Sequence, residues 1–181
     1  MTRYVEQLED RLAHCHTKSE LVRTIVDAPF AYPIEAAQLY LGIMVLLLVD
    51  KKTGLIDRVA LSNTELAKGT TDISVKKFED IKIPVDHPEN VIAQAIRTGD
   101  PKGTADWQYL FTPVLSAEEA RFNQAAGAIA FSAVYPLVGV VEGGALIFSY
   151  YQYPENIGHD QRKFMAAYSR VVAERLASFS T

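Results

Sequence analysis

Apolar and polar residues follow two different periods along the chain, and the switches between them mark out the elements. Up to Val26, the residues Val5, Leu8, Leu12, Cys15, Ser19, Val22 and Val26 fall at steps of three and four, along one helical face. Thr17-Lys18-Ser19-Glu20 fits a capping box, so this segment is either one long helix or two helices broken at Thr17. Pro29 and Pro33 end it. Residues 37–50 are apolar almost throughout, which predicts a strand buried on both faces. Lys51-Lys52-Thr53-Gly54 makes a turn. Residues 55–62 return as the second strand of a hairpin, with Asp57 and Arg58 marking exposure.

Residues 63–83 are polar with isolated Ile73, Val75, Phe78, Ile81 and Ile83, and predict a loop with a short helix and a short strand. Residues 88–98 read as a helix with Val91, Ile92, Ala95 and Ile96 on its apolar face, Asp86 or His87 as its cap and Gly99 as its stop. Residues 100–113 read as a loop or edge strand carrying Trp107, Tyr109 and Phe111 at spacing two. Ser116 and Glu119 fit a capping box for a short helix over 116–125. Two strands, 128–137 and 144–153, form a hairpin through a glycine turn. An amphipathic helix over 160–178 closes the chain with Phe164, Tyr168, Val171, Val172 and Leu176. Hairpins flanked by terminal helices make an α+β fold built on an antiparallel sheet.

Composition narrows the function classes. The 181 residues suit one domain, with 1–18 as an N-terminal helix and 19–181 as the domain proper. Apolar residues at 49 % and charged residues at 22 % describe a globular chain. A net charge of −4 argues against a nucleic-acid binder held by phosphate contacts. Cys15 is the only cysteine, so no intrachain disulfide forms. No apolar signal core opens the sequence, and the run at 39–49 is far shorter than the ~20 residues of a spanning helix. The expectation is a cytoplasmic protein with no membrane and no nucleic-acid partner.

Four segments, in order, resemble the GAF domain family. YLGIMVLLLVDKKTGLIDRVALS is similar to its first hairpin, and DHPENVIAQAIRTGDP to its helix with a threonine-glycine-then-proline exit. GAIAFSAVYPLVGVVEGGALIFSY is similar to its last hairpin, and HDQRKFMAAYSRVVAERL to its closing helix. The PAS-type fold is the nearest competitor. The resemblance implies a central antiparallel sheet, with the terminal helices on one face and irregular helical segments over a small-molecule pocket on the other. It also implies a sensory or regulatory role and dimerisation through the terminal helices, though a fold alone does not confer function.

The candidate ligand-binding residues are Phe78, Trp107, Tyr109, Phe111, Phe131, Ser132 and Tyr135. Amphipathic aromatics of this kind either meet a ligand or cover the core. Phe131 and Tyr135 share one face of the penultimate strand and Ser132 lies on the other, while Tyr150, Tyr151 and Tyr153 crowd the last. Trp107→Ala is expected to abolish binding without unfolding the domain. Val75-Lys76-Lys77-Phe78-Glu79-Asp80 lacks the asparagine and the spacing of cyclic-nucleotide-binding GAF motifs and reads as a solvated charge run. His14-Cys15-His16 cannot converge on one metal ion from a helix, because adjacent side chains diverge by about 100°. Tetrapyrrole attachment and methionine sulfoxide reduction, known on GAF scaffolds, both need a thiol in the second half of the domain, and none follows Cys15. No phosphate loop, metalloprotease motif or ordered nucleophile–base set is present; Asp86 and His87 read as a cap rather than a proton-transfer pair.

The function expected is therefore a small-molecule sensor without catalytic activity, cofactor or metal, signalling in trans to a partner protein and forming a homodimer. The alternative is a ligand-free interaction module that dimerises through Leu8, Leu12, Val22 and the closing helix. An enzyme on the same scaffold is the least supported reading.

Overall fold

Thr17 decides whether the first helix is continuous. Its hydroxyl accepts from the Glu20 amide, and the Glu20 carboxylate accepts from the His16 amide. The side chain thus satisfies an amide that a continuing helix would have bonded itself, and two helices result, α1 (Thr2–Ala13) and α2 (Lys18–Asp27). The computed structural model describes residues 2–151 and 157–179, so Tyr153 of the predicted last strand lies outside the described residues.

After α2 come a 3₁₀ turn (Ala28–Ala31), α3 (Pro33–Gln38), β1 (Leu41–Asp50), β2 (Leu55–Leu61) and α4 (Glu65–Ile73). A second 3₁₀ turn (Phe78–Asp80) leads to β3 (Ile83–Pro84), α5 (Val91–Thr98), β4 (Lys102–Thr104), α6 (Gln108–Phe111) and α7 (Ala117–Ala126). The chain closes with β5 (Phe131–Pro136), β6 (Gly144–Tyr150) and α8 (His159–Ser178). The strands form one antiparallel sheet in the order β3-β2-β1-β6-β5-β4.

Three expectations are corrected. The first strand starts at Leu41 rather than 37, because Pro33 sits at the first turn of α3, where its missing N–H costs nothing. The cap of α5 is Asn90, not Asp86 or His87: its carboxamide oxygen accepts from the amides of Ile92 and Ala93. Residues 100–113 hold both the short edge strand β4 and the helix α6, so Trp107, Tyr109 and Phe111 do not alternate on a strand. The capping box at Ser116 and Glu119 is formed as predicted.

The sheet separates two cores. On one face, β1 and β6 present Leu41, Met44, Leu46, Leu146, Phe148 and Tyr150 to α1, α2 and α8. On the other, Ile43, Val45, Leu47, Ala145 and Ile147 meet α4, α5, α6 and α7. Leu8 and Leu12 are 0 % exposed in the single chain, packed in the first core with Phe164, Tyr168 and Leu176 of α8. The three-four seam of α1 is thus internal, and it is not free to pair two copies. Arg175 of α8 fastens it: Nε donates to the Leu12 carbonyl at 3.0 Å, and Nη2 to those of Ala13 and Cys15 at 3.1 and 3.0 Å. These are the carbonyls that the end of a helix leaves unsatisfied.

Candidate functional site

The hairpin register places the central residue of the site. From the turn, Leu55, Ile56, Asp57 and Arg58 pair in unbroken order with Asp50, Val49, Leu48 and Leu47. Arg58 therefore shares the face of Ile56 and Leu47, toward the second core, and a β-bulge at Val59 then sets Ala60 opposite Leu46, toward the terminal helices. The sequence reading of Arg58 as exposed is therefore wrong: it is 7 % exposed. Asp57, on the opposite face, sits 3.1 Å from the Lys82 ammonium and is spoken for there.

The Arg58 guanidinium lies 4.5 Å from the centroid of the Phe111 ring and 6.0 Å from that of Phe78. Its Nε and Nη2 are shielded from water and have no hydrogen-bond partner. Burial pulls its pKa down to about 10, which still leaves it charged at neutral pH. A buried cation with unmade hydrogen bonds is among the costlier things a folded chain can hold.

Arg58 borders a cavity between the sheet and its cover. The floor is Ile43, Val45 and Ile147; α4 supplies Thr70 and Thr71, the following segment Ser74, Lys76 and Phe78, and the α6 region Trp107, Leu110 and Phe111. The cavity opens to solvent and has a volume of about 40 Å³, room for about three waters. Arg58 and Lys76 are the charged residues lining it, and neither Asp nor Glu does.

Local sequence builds the cover. The Asp106 carboxylate accepts from the Gln108 amide and starts α6, on which Trp107, Leu110 and Phe111 share the buried face at helical spacing. The Trp107 indole donates to Ser132 Oγ at 2.9 Å, and Ser132 Oγ lies 2.7 Å from Ser149 Oγ. When Ser132 donates to Ser149, the Ser149 proton is left for the cavity that Ser149 lines. Asn90 is buried and donates to the carbonyls of Leu110 and Thr112, which ties α6 to the start of α5. Gly69 allows α4 to close on α7: a β-carbon there would stand 2.9 Å from the Ala126 carbonyl oxygen. The Asn123 amide donates to Ser74 Oγ at 3.1 Å and holds the segment before Phe78.

Of the candidate residues, the structure brings Phe78, Trp107 and Phe111 to the cavity and sets Ser132 behind Trp107. Tyr109 points away at 41 % exposure, because on a helix it lies off the face shared by Trp107 and Phe111. Phe131 and Tyr135 alternate with Ser132 as expected, and so pack into the core on the terminal-helix face, not the cavity. Trp107 is 5 % exposed and pins Ser132, so Trp107→Ala would remove core packing worth about 3–5 kcal/mol and does not separate binding from folding. Cys15 belongs to the opposite core. Among the described residues, no three His, Cys, Asp or Glu side chains group to hold a metal ion, and no helix is long and apolar enough to cross a membrane.

No family model and no curated protein matches this sequence. Solved structures match its shape. The GAF domain from an Acinetobacter phosphoenolpyruvate-protein phosphotransferase superposes with a TM-score of 0.66 at 8 % identity, over 98 % of this chain and 92 % of that one. The GAF domain of the corresponding Coxiella burnetii protein gives 0.65 at 12 % identity, over 98 % and 92 %. The phycoerythrobilin-bound GAF domain from a cyanobacterial phytochrome gives 0.61 at 13 % identity, over 99 % and 95 %. The chain has a GAF-like fold, with an α+β architecture built on a six-stranded antiparallel sheet.

Proposed function

We propose that this chain is a small-molecule-binding regulatory module whose ligand enters between the sheet and the cover formed by α4, the Phe78 turn and α6. The observation that carries this reading is Arg58, a buried cation left without hydrogen-bond partners at the edge of a cavity. A core built for stability alone gains nothing from that arrangement, whereas a ligand with matching groups would satisfy it. A neighbour of the same fold, the phytochrome GAF domain, is one that binds phycoerythrobilin. Binding would favour one arrangement of the cover over another, and a partner protein that reads the cover would receive the signal. The chain acts in this reading without catalysis, in the cytoplasm; a homodimer, where one forms, uses surfaces other than Leu8 and Leu12.

Native mass spectrometry of the purified protein, followed by denaturation, tests the reading. The expected result is added mass that disappears on denaturation. The chain's only tryptophan, Trp107, lines the cavity and gives a second readout by its emission. A bare mass together with Trp107 emission that responds to no member of a metabolite panel refutes the proposal.

A further inference from the structure

We infer that the ligand is a short-chain monocarboxylate whose two oxygens take the Nε and Nη2 edge of Arg58. The inference rests on the ligand-binding reading above and adds the chemical class. Nε and Nη2 are the two donors on one side of the guanidinium plane, spaced to meet a carboxylate. The molecule sets the same edge on a carboxylate elsewhere: Arg121 donates from Nη2 to Asp106 Oδ2 at 2.6 Å and from Nε to Oδ2 and Oδ1 at 3.0 and 3.2 Å. At Arg58 the same edge is unmade among the described residues, none of whose Asp or Glu side chains lines the cavity.

The rest of the site fixes the size and the tail. Ile43, Val45 and Ile147 form an apolar floor, which suits a hydrocarbon tail better than a hydroxylated or second charged group. The cavity volume of about 40 Å³ suits a small ligand, of about three to six heavy atoms once the cover gives slightly. The Phe78 turn is the part that gives. Phe111 holds the guanidinium at 4.5 Å from a rigid helix, while Phe78 stands at 6.0 Å on a turn flanked by exposed residues. Phe78 and Arg58 line the same cavity, so a shift of this turn would widen the space beside Arg58 that the carboxylate takes.

Calorimetry and Trp107 emission, read against propionate, acetate, acetamide and chloride at matched ionic strength, test this class. Propionate is expected to bind saturably with a Kd between about 10 µM and 5 mM. Acetamide and chloride are expected to give no saturation. Arg58→Met should weaken propionate by roughly 100-fold, and Arg58→Lys by less, because an ammonium keeps the charge without the fork. A cooperative melt of Arg58→Met shows that the loss is not unfolding. Acetamide binding as well as acetate, or Arg58→Met binding propionate as the parent does, overturns the inference. If no carboxylate binds while native spectra carry another bound mass, the class is wrong and the ligand-binding reading stands. If no carboxylate binds and no other ligand is found, both fall.

Discussion

Arg58→Met should make the ligand-free protein more stable. The fall of the guanidinium pKa to about 10 means that folding disfavours the charged form by roughly 3 kcal/mol. Against this stands the contact with the Phe111 ring at 4.5 Å, worth up to about 2 kcal/mol when desolvated. Methionine has the length to lie between the same two rings, regains about 1 kcal/mol of sulfur–aromatic contact and leaves no charge buried. The net gain is about 2 kcal/mol, or roughly 4–8 °C in Tm for a chain of this size. Urea unfolding at pH 7 measures it directly. The pH dependence follows from the same shift. A base with a depressed folded pKa carries its full penalty below pH about 10. As pH rises from there toward the ordinary guanidinium range, the folded state gives up the proton first, the unfolded state binds more protons, and parental stability rises relative to the variant. The gap between the two proteins should therefore narrow above pH 10. An Arg58→Met protein less stable than the parent by more than about 1 kcal/mol would show that Arg58 holds the cover together, and would refute the reasoning.

Further outcomes follow from the packing. Asn90→Ala removes a cap worth about 1 kcal/mol and strands two buried carbonyls at about 1–3 kcal/mol each, so chemical denaturation should show a loss of several kcal/mol. Deleting residues 2–17 should abolish a cooperative melt rather than yield folded monomers, because Leu8 and Leu12 are core residues; sedimentation with circular dichroism reads both outcomes. Burial raises the phenols of Tyr4, Tyr150 and Tyr168 above the ordinary 10, so each adds stability below pH 10 that is lost above it, as the unfolded chain ionises first. Tyr168→Phe should flatten the fall between pH 10 and 11, at a neutral-pH cost of about 1 kcal/mol for the bond to the Ile25 carbonyl.

The parts of the fold written in local chemistry were legible. The hairpins follow from alternation and turn residues, and the caps at Thr17 and Ser116 from hydroxyls that accept an amide only three residues on; Glu119 completes a capping box at Ser116, whereas Glu20 accepts from His16 rather than from Thr17. Two differences come down to period. Trp107 and Phe111 reach one cavity through helical spacing, not the strand spacing of two, since with Leu110 they occupy positions i, i+3 and i+4. Asp57 and Arg58 differ in exposure because neighbours on a strand point to opposite faces, and Ile56 shares the parity of Arg58. That parity was the available signal for the central residue of the site. The bulge that follows at Val59 and turns Ala60 to the other face has none, because it depends on a register between two strands and not on either strand alone.

The clasp of Arg175 on the end of α1 also sets an order of events during synthesis. Its bond to the Leu12 carbonyl spans 163 residues of chain, so a ribosome adding about 5–20 residues per second needs roughly ten to thirty seconds to deliver the partner. Until then α1 is a short amphipathic helix below the length that is stable alone in water, with Leu8 and Leu12 uncovered. Docking of the first helix is thus a late step, and the interval before it is when this protein is most open to proteases, to chaperones and to its own copies. Chains arrested short of α8 should accordingly be cut within residues 2–13 by a protease that leaves the finished protein intact.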